Sequence, residues 1–263
     1  MTNVFRAQRA VRLGCLMCLA GLAAGAGSDC RTWKVGMSTR VAPESGADQF
    51  VKLKQAGIGA VELGIGRVDT PEAAAAARKF ARQTREWAVT AGVELWSVHI
   101  PFAKDLDLSD PTEEQRQRVV RYEITQPIPA PEREIRIAAS RKSLVALARK
   151  AAGMNAQLAM ECLPRACLGN TNGEVQRLIQ GIDSLGVCLD TNHLLQEKPE
   201  DFVRALGSRI VTPHVADFDG IDERHWLPGT GVNNWRASSP TRRPPPTATR
   251  YEYWDRRASR GCA

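Results

Sequence analysis

Short apolar runs and amphipathic stretches alternate along most of the chain. Trp33–Met37 reads as a strand, and Ala47–Ala56 as a helix stopped by Gly57. Ala60–Leu63 is a second strand. Thr70, Pro71 and Glu72 then open a helix that runs to about Ala91, with Thr70 as its cap, Pro71 in the first turn and Gly92 after it. Leu95–Ile100 is a third strand, and the Asp110–Glu113 run is a further capping-box start. Beyond it the pattern gives a long helix over Glu132–Ala152, a strand at Gln157–Cys162, a helix at Glu174–Asp183 and a strand at Gly186–Asp190. A helix at Pro199–Leu206 and a last strand at Arg209–Val215 complete the series.

Strand followed by helix, repeated, predicts parallel strands joined by helical crossovers. Strand starts near 33, 60, 95, 157, 187 and 210 leave one gap about twice the others, so the pattern fits an α/β fold of the (β/α)8 TIM-barrel type with six strands clearly readable. No GxGxxG or GxxxxGK[ST] loop follows the first strand, which argues against an open nucleotide-binding sheet.

Charge changes the picture less than its total suggests. The chain of 263 residues carries a formal net charge of +7. Residues 1–30 contribute +2 and residues 236–263 contribute +5, which leaves the body neutral. A neutral body gives no support to a basic nucleic-acid-binding face on the fold. The N-terminus has Arg6, Arg9 and Arg12 ahead of an apolar stretch from Leu13 to Gly27 and small residues at Ala24–Ala26. That is the pattern of a cleaved export signal over residues 1–26, and the expected location is secreted or periplasmic, or cytoplasmic if the true start lies further on. The apolar stretch is too short for stable membrane insertion. Residues 236–263 hold seven Arg and four Pro without hydrophobic period, and composition predicts a disordered basic tail. The predicted barrel domain therefore spans residues 31–235.

Polar residues gather where strands end, which is where a barrel of this kind carries its chemistry. Glu62 ends the second strand and His99 the third; Glu161, Asp190 and His214 end later ones. His193, Glu223, Arg224 and His225 lie in the loops that follow. Glu161 and Asp190 emerge directly from apolar runs, where an uncompensated carboxylate is costly. A divalent cation held by Glu161, Asp190 and His214 compensates both, and this mixed oxygen and nitrogen set suits Mn²⁺, Mg²⁺, Co²⁺ or Zn²⁺. Glu62 either touches substrate or pairs with a neighbouring Arg or Lys.

The run MECLPRACLGNTNGE at 160–174, the D-T-N-H and P-H-V-A-D runs between 186 and 220, and the H-W-L-P-G-T-G run at 225–231 resemble the sugar phosphate isomerase/epimerase family. This is the xylose isomerase-like TIM-barrel group, which also includes the apurinic endonucleases. The resemblance covers about residues 33–122 and 127–235, and breaks at the positions of the family's fourth and eighth strands. It implies a sugar substrate, a divalent cation on Glu161, Asp190 and His214, and Glu161 as the base that moves a proton next to a carbonyl through an enediolate. It further implies that His193 contacts a substrate hydroxyl, that Arg224 meets substrate oxygens and that His99 walls the pocket or touches substrate. Glu223 and His225 are additional candidate metal ligands. The alternatives are a metal phosphodiesterase of the apurinic endonuclease type, or a degenerate member without catalysis. No nucleic-acid partner is expected for the leading reading, and the oligomeric state is left open.

Overall fold

The structure, a computed structural model, describes residues 35–39, 46–100, 108–109 and 127–235. Contacts divide the chain into two compact units, Met1–Phe102 and Ala103–Ala263. The expected export segment 1–26, the tail 236–263 and the capping box at 110–113 lie outside the described residues. Among the described residues, no helix is long and apolar enough to cross a membrane.

The N-terminal unit runs β1 (Val35–Ser38), α1 (Ala47–Gln55), β2 (Ile58–Gly64), α2 (Pro71–Ala91) and β3 (Glu94–His99). Its three strands pair in parallel in the order β1-β2-β3. The signals read from sequence operate as expected at α2: Thr70 Oγ1 accepts from the Ala73 N–H at 3.1 Å, and Gly92 takes the left-handed conformation at φ 67° that ends the helix. Phe50 of α1, Val61 of β2, Ala88 of α2 and Val93 form its buried core. On β2, Glu62 stands in register with Ser38 on one side and Ser97 on the other.

The C-terminal unit runs α3 (Ala130–Gly153), β4 (Ala159–Glu161), α4 (Asn172–Ile179), β5 (Gly186–Asp190), α5 (Pro199–Leu206), a short 3-10 turn at Gly207–Arg209 and β6 (Ile210–His214). Its strands are parallel in the order β4-β5-β6. β5 is central and buried at every position, which explains its unbroken apolar run. Alternation along the strands divides the side chains between two faces. Val187 and Leu189 join Ile137, Leu144, Val175, Leu178 and Phe202 in the core under the helices. The register pairs Glu161 with Cys188, Cys188 with Thr212, and Asp190 with His214. Glu161, Cys188, Asp190, Thr212 and His214 therefore share the opposite face.

One expected boundary moves. The helix predicted over residues 174–183 is Asn172–Ile179: Thr171 caps it through Oγ1, and Gln180 leaves helical geometry ahead of Gly181 at φ 72°. A left-handed glycine stops the helix four residues early.

Candidate active site

Glu161, Asp190 and His214 converge at the C-terminal ends of the three strands of the second unit. His214 Nδ1 lies 3.0 Å from Glu161 Oε1 and 3.7 Å from Asp190 Oδ2. Asp190 is buried, and its second oxygen, Oδ1, accepts from the Asn192 N–H at 2.8 Å. That bond leaves Oδ2 directed at the two histidines.

His193 is the hub of the cluster. Its Nδ1 lies 2.8 Å from the Cys162 carbonyl oxygen, a pure acceptor, so Nδ1 carries the proton and donates. Nε2 then faces Glu223 Oε1 at 3.2 Å and Asp190 Oδ2 at 3.6 Å. A bare lone pair against two carboxylates is repulsive. A cation between this nitrogen and the carboxylate oxygens would relieve that repulsion. The donor atoms of Glu161, Asp190 and His193 lie within 4.8 Å of one another, and so do those of His193, Glu223 and His225. Carboxylate oxygens and imidazole nitrogens so close together, around buried charge, fit a divalent cation.

The structure adds groups that sequence reasoning missed. Cys188 completes a third cluster with Glu161 and His214, and burial pushes its thiol up to about 11 despite the neighbouring His214, which favours the thiolate. Its position two residues before Asp190 on one strand was the available signal. Asn192 is fully buried, and its Oδ1 accepts from the N–H groups of both Arg224 and His225 at 3.0 Å. It ties the loop after β6 to the end of β5, and His225 sits there in a left-handed backbone at φ 51°, strain typical of a held functional residue.

The same loop is built on Asp217. Its fully buried carboxylate accepts from the N–H groups of Phe218, Gly229 and Asn233 and from the Trp235 indole. Burial alone would raise its pKa, but these donors hold it below the ordinary carboxylate value. Gly231 is required at this turn: a Cβ there would overlap the Phe218 carbonyl oxygen and come 2.5 Å from Asp217 Oδ1.

Arg165 emerges from the loop after β4. It pairs with Asp222 Oδ1 at 2.7 Å and with Glu223 Oε2. Arg224, expected at substrate oxygens, has its Nε on Asp219 Oδ2 at 2.7 Å and a side chain 43% exposed. In the first unit, Glu62 Oε2 accepts from Ser97 Oγ at 3.0 Å, and His99 Nδ1 lies 2.9 Å from the Ile100 carbonyl oxygen. A separate cleft of about 740 Å³ is lined by Arg133, Arg165, Asn170, Glu174 and Asp222 among others, but by none of the converging ligands. Arg133 there is spent on Glu174, with contacts of 2.6 and 2.7 Å.

The sequence model of the xylose isomerase-like TIM barrel family matches residues 50–238. Several solved structures resemble the fold. A D-tagatose 3-epimerase-like protein is 22% identical, with a TM-score of 0.62 over 78% of this chain and 84% of its own. A 3-keto-D-glucoside 4-epimerase from E. coli is 16% identical, with a TM-score of 0.59 over 79% and 86%. A D-psicose 3-epimerase from Clostridium cellulolyticum, solved with D-tagatose, is 18% identical, with a TM-score of 0.58 over 88% and 93%. No protein of curated function matches the sequence.

Proposed function

Because the chain belongs to the xylose isomerase-like TIM barrel family, we propose that it is a divalent-metal-dependent isomerase or epimerase of a sugar or sugar-like ketone. A shared fold does not assign a reaction, so the reading rests on the site. The observation that carries it is the convergence of Glu161, Asp190 and His214, with His214 Nδ1 at 3.0 and 3.7 Å from the two carboxylates. The epimerases of keto sugars among the similar structures support the substrate class.

In this reading Glu161, Asp190 and His214 hold the ion, which when bound supplies Lewis-acid stabilisation of the negative charge developing on the substrate's carbonyl oxygen. Glu161 takes the proton from the carbon beside that carbonyl, which leaves an enediolate. Its side chain is 22% exposed, open enough to meet substrate. His193, with Nδ1 anchored on the Cys162 carbonyl, is the candidate contact to a substrate hydroxyl. Asn192 keeps the Arg224–His225 backbone over the site.

Solvent exchange tests this directly. The EDTA-stripped chain is reloaded with Mn²⁺, Co²⁺, Mg²⁺ or Zn²⁺ and incubated in D₂O with D-tagatose, D-psicose or D-fructose. Deuterium is expected at the carbon next to the carbonyl, with conversion between epimers, and both are lost in Glu161→Gln. A chain that binds the ion yet exchanges no carbon-bound proton on any ketose would refute the proposal. The metal-phosphodiesterase reading draws on one specific observation, the second cluster formed by His193, Glu223 and His225.

A further inference from the structure

We propose that Arg165 is a resident cation that supplies at Glu223 the positive charge a second metal ion would bring, and so keeps the site mononuclear. The proposal rests on the reading of Glu161, Asp190 and His214 as the ligands of one divalent cation.

The cluster of His193, Glu223 and His225 offers two imidazole nitrogens and a carboxylate oxygen within 4.8 Å, a set that suits Zn²⁺ or Co²⁺. One oxygen of its only carboxylate is already taken by a fixed cation. Glu223 Oε1 faces His193 Nε2 at 3.2 Å, and Oε2 is held by Arg165 Nη1. The other arm of the same guanidinium, Nη2, takes Asp222 Oδ1 at 2.7 Å. One planar group thus spans two consecutive carboxylates, the fork geometry for which arginine is suited. Glu223 is only 14% exposed at its side chain, so the pair is shielded from the screening that weakens surface ion pairs.

The backbone fixes this guanidinium in place. Arg165 lies in the left-handed region at φ 53°, which a non-glycine residue holds only under constraint. Its carbonyl oxygen supplies that constraint, accepting from Asn170 Nδ2 at 2.6 Å and from Gln196 Nε2 at 3.0 Å. The loop that carries it is pinned in turn by Arg133, which donates to the carbonyls of Ala166 and Cys167, each at 2.9 Å. A strained, doubly anchored arginine is placed where a mobile side chain would leave Glu223 free to ligate. A second ion on Glu223 would have to displace a fixed charge of the same sign.

Metal stoichiometry on the full chain decides the matter. The protein is stripped with EDTA and titrated with Co²⁺, and bound metal per chain is read by equilibrium dialysis together with the visible ligand-field spectrum. The wild type is expected to bind one Co²⁺. Arg165→Met keeps the aliphatic stem and removes the charge, and it is expected to bind two, with a second ligand-field signature. Arg165→Lys restores a cation and should return the count to one. The double variant Arg165→Met with His225→Ala should also bind one. A wild type that binds two ions overturns the proposal, as does an Arg165→Met variant that still binds one. It is overturned equally if the second ion persists without His225. A wild type that binds no Co²⁺ overturns instead the metal-dependent reading on which this one stands.

Discussion

The two units differ in how much apolar structure stands behind their polar strand ends. In the N-terminal unit the buried cluster is Phe50, Val61, Ala88 and Val93, with Leu53, Trp87, Ala91 and Leu95 partly buried against it. In the C-terminal unit fourteen buried residues from three helices, the strand β5 and the segments between them form one cluster. The second unit is also the one that buries Asp190, Thr191, Asn192 and Asp217. Each of these four makes hydrogen bonds, so the thick core carries polar groups without orphaning them. In the first unit Thr84 is buried with no partner for its hydroxyl among the described residues. A large apolar cluster thus goes together with a dense and satisfied polar network, and the candidate ligands stand on that side.

Matched core truncations test the comparison most strongly. Phe50 is 2% exposed and Phe202 is fully buried. Truncation of a buried Phe to Ala costs about 3 to 5 kcal/mol, depending on how far the surroundings collapse. Phe202→Ala, inside the larger cluster, is expected near the top of that range, and Phe50→Ala, beside the tilted Trp87 ring, near the bottom. Urea unfolding of the two variants measures both. Equal losses would mean that the size of the cluster does not set its rigidity.

The polar hub comes next. Asp217→Asn keeps the shape but exchanges an acceptor oxygen for an NH₂ group. That group must then face a pair of donors, either the N–H groups of Phe218 and Asn233 or the Gly229 N–H and the Trp235 indole. The expected loss is about 2 to 3 kcal/mol, with faster hydrogen exchange at Gly229, Asn233 and the Trp235 indole. Glu62→Gln in the first unit retains an acceptor for Ser97 and should cost less than about 1 kcal/mol. Acid separates the two units further. Asp219 accepts from the N–H groups of Asp222 and Ile221 and from Arg224, and its pKa falls from 3.8 to about 2. Its folded-state value lies below the unfolded one, so its contribution is complete above pH 4 and is lost as pH falls toward 2. Protection of the Ile221 and Asp222 amides should decline across that window in the wild type. Asp219→Asn should lack the step.

What the sequence made legible divides along physical lines. Elements ruled by local chemistry were readable: Gly186–Asp190 and Pro199–Leu206 form with the expected bounds, and Thr70 and Gly92 bracket α2 as their residue types require. Their places at the ends of apolar runs, and then the family resemblance, brought Glu161, Asp190 and His214 to notice, and the parallel register sets them side by side. Arg165 escaped notice because its partners Asp222 and Glu223 lie far along the chain, and no period links a loop residue to another loop. Asn192 and Asp217 sat inside the recognised runs and were passed over, since their work is to accept backbone N–H groups that spacing does not reveal. The early end of α4 had a visible signal in Gly181, whose left-handed φ of 72° outweighed the apolar period that continues past it.

The smallest effect gives the sharpest contrast, because one substitution is expected to change sign between the units. Thr84 is 1% exposed on α2 and its Oγ1 has no hydrogen bond among the described residues, so the buried hydroxyl is a cost. Thr84→Val keeps the β-branched shape, removes that orphan and is expected to stabilise the chain by about 1 kcal/mol. Thr191 is 3% exposed, and its Oγ1 donates to the Ala216 carbonyl at 2.8 Å and accepts from the Ala216 N–H at 3.0 Å. Thr191→Val strands both backbone groups and is expected to destabilise by about 1 to 2 kcal/mol. Urea midpoints at an unchanged slope measure the pair. Midpoints that both fall would show that Thr84 has a partner in solution, and the contrast between an unsatisfied and a satisfied interior would then disappear.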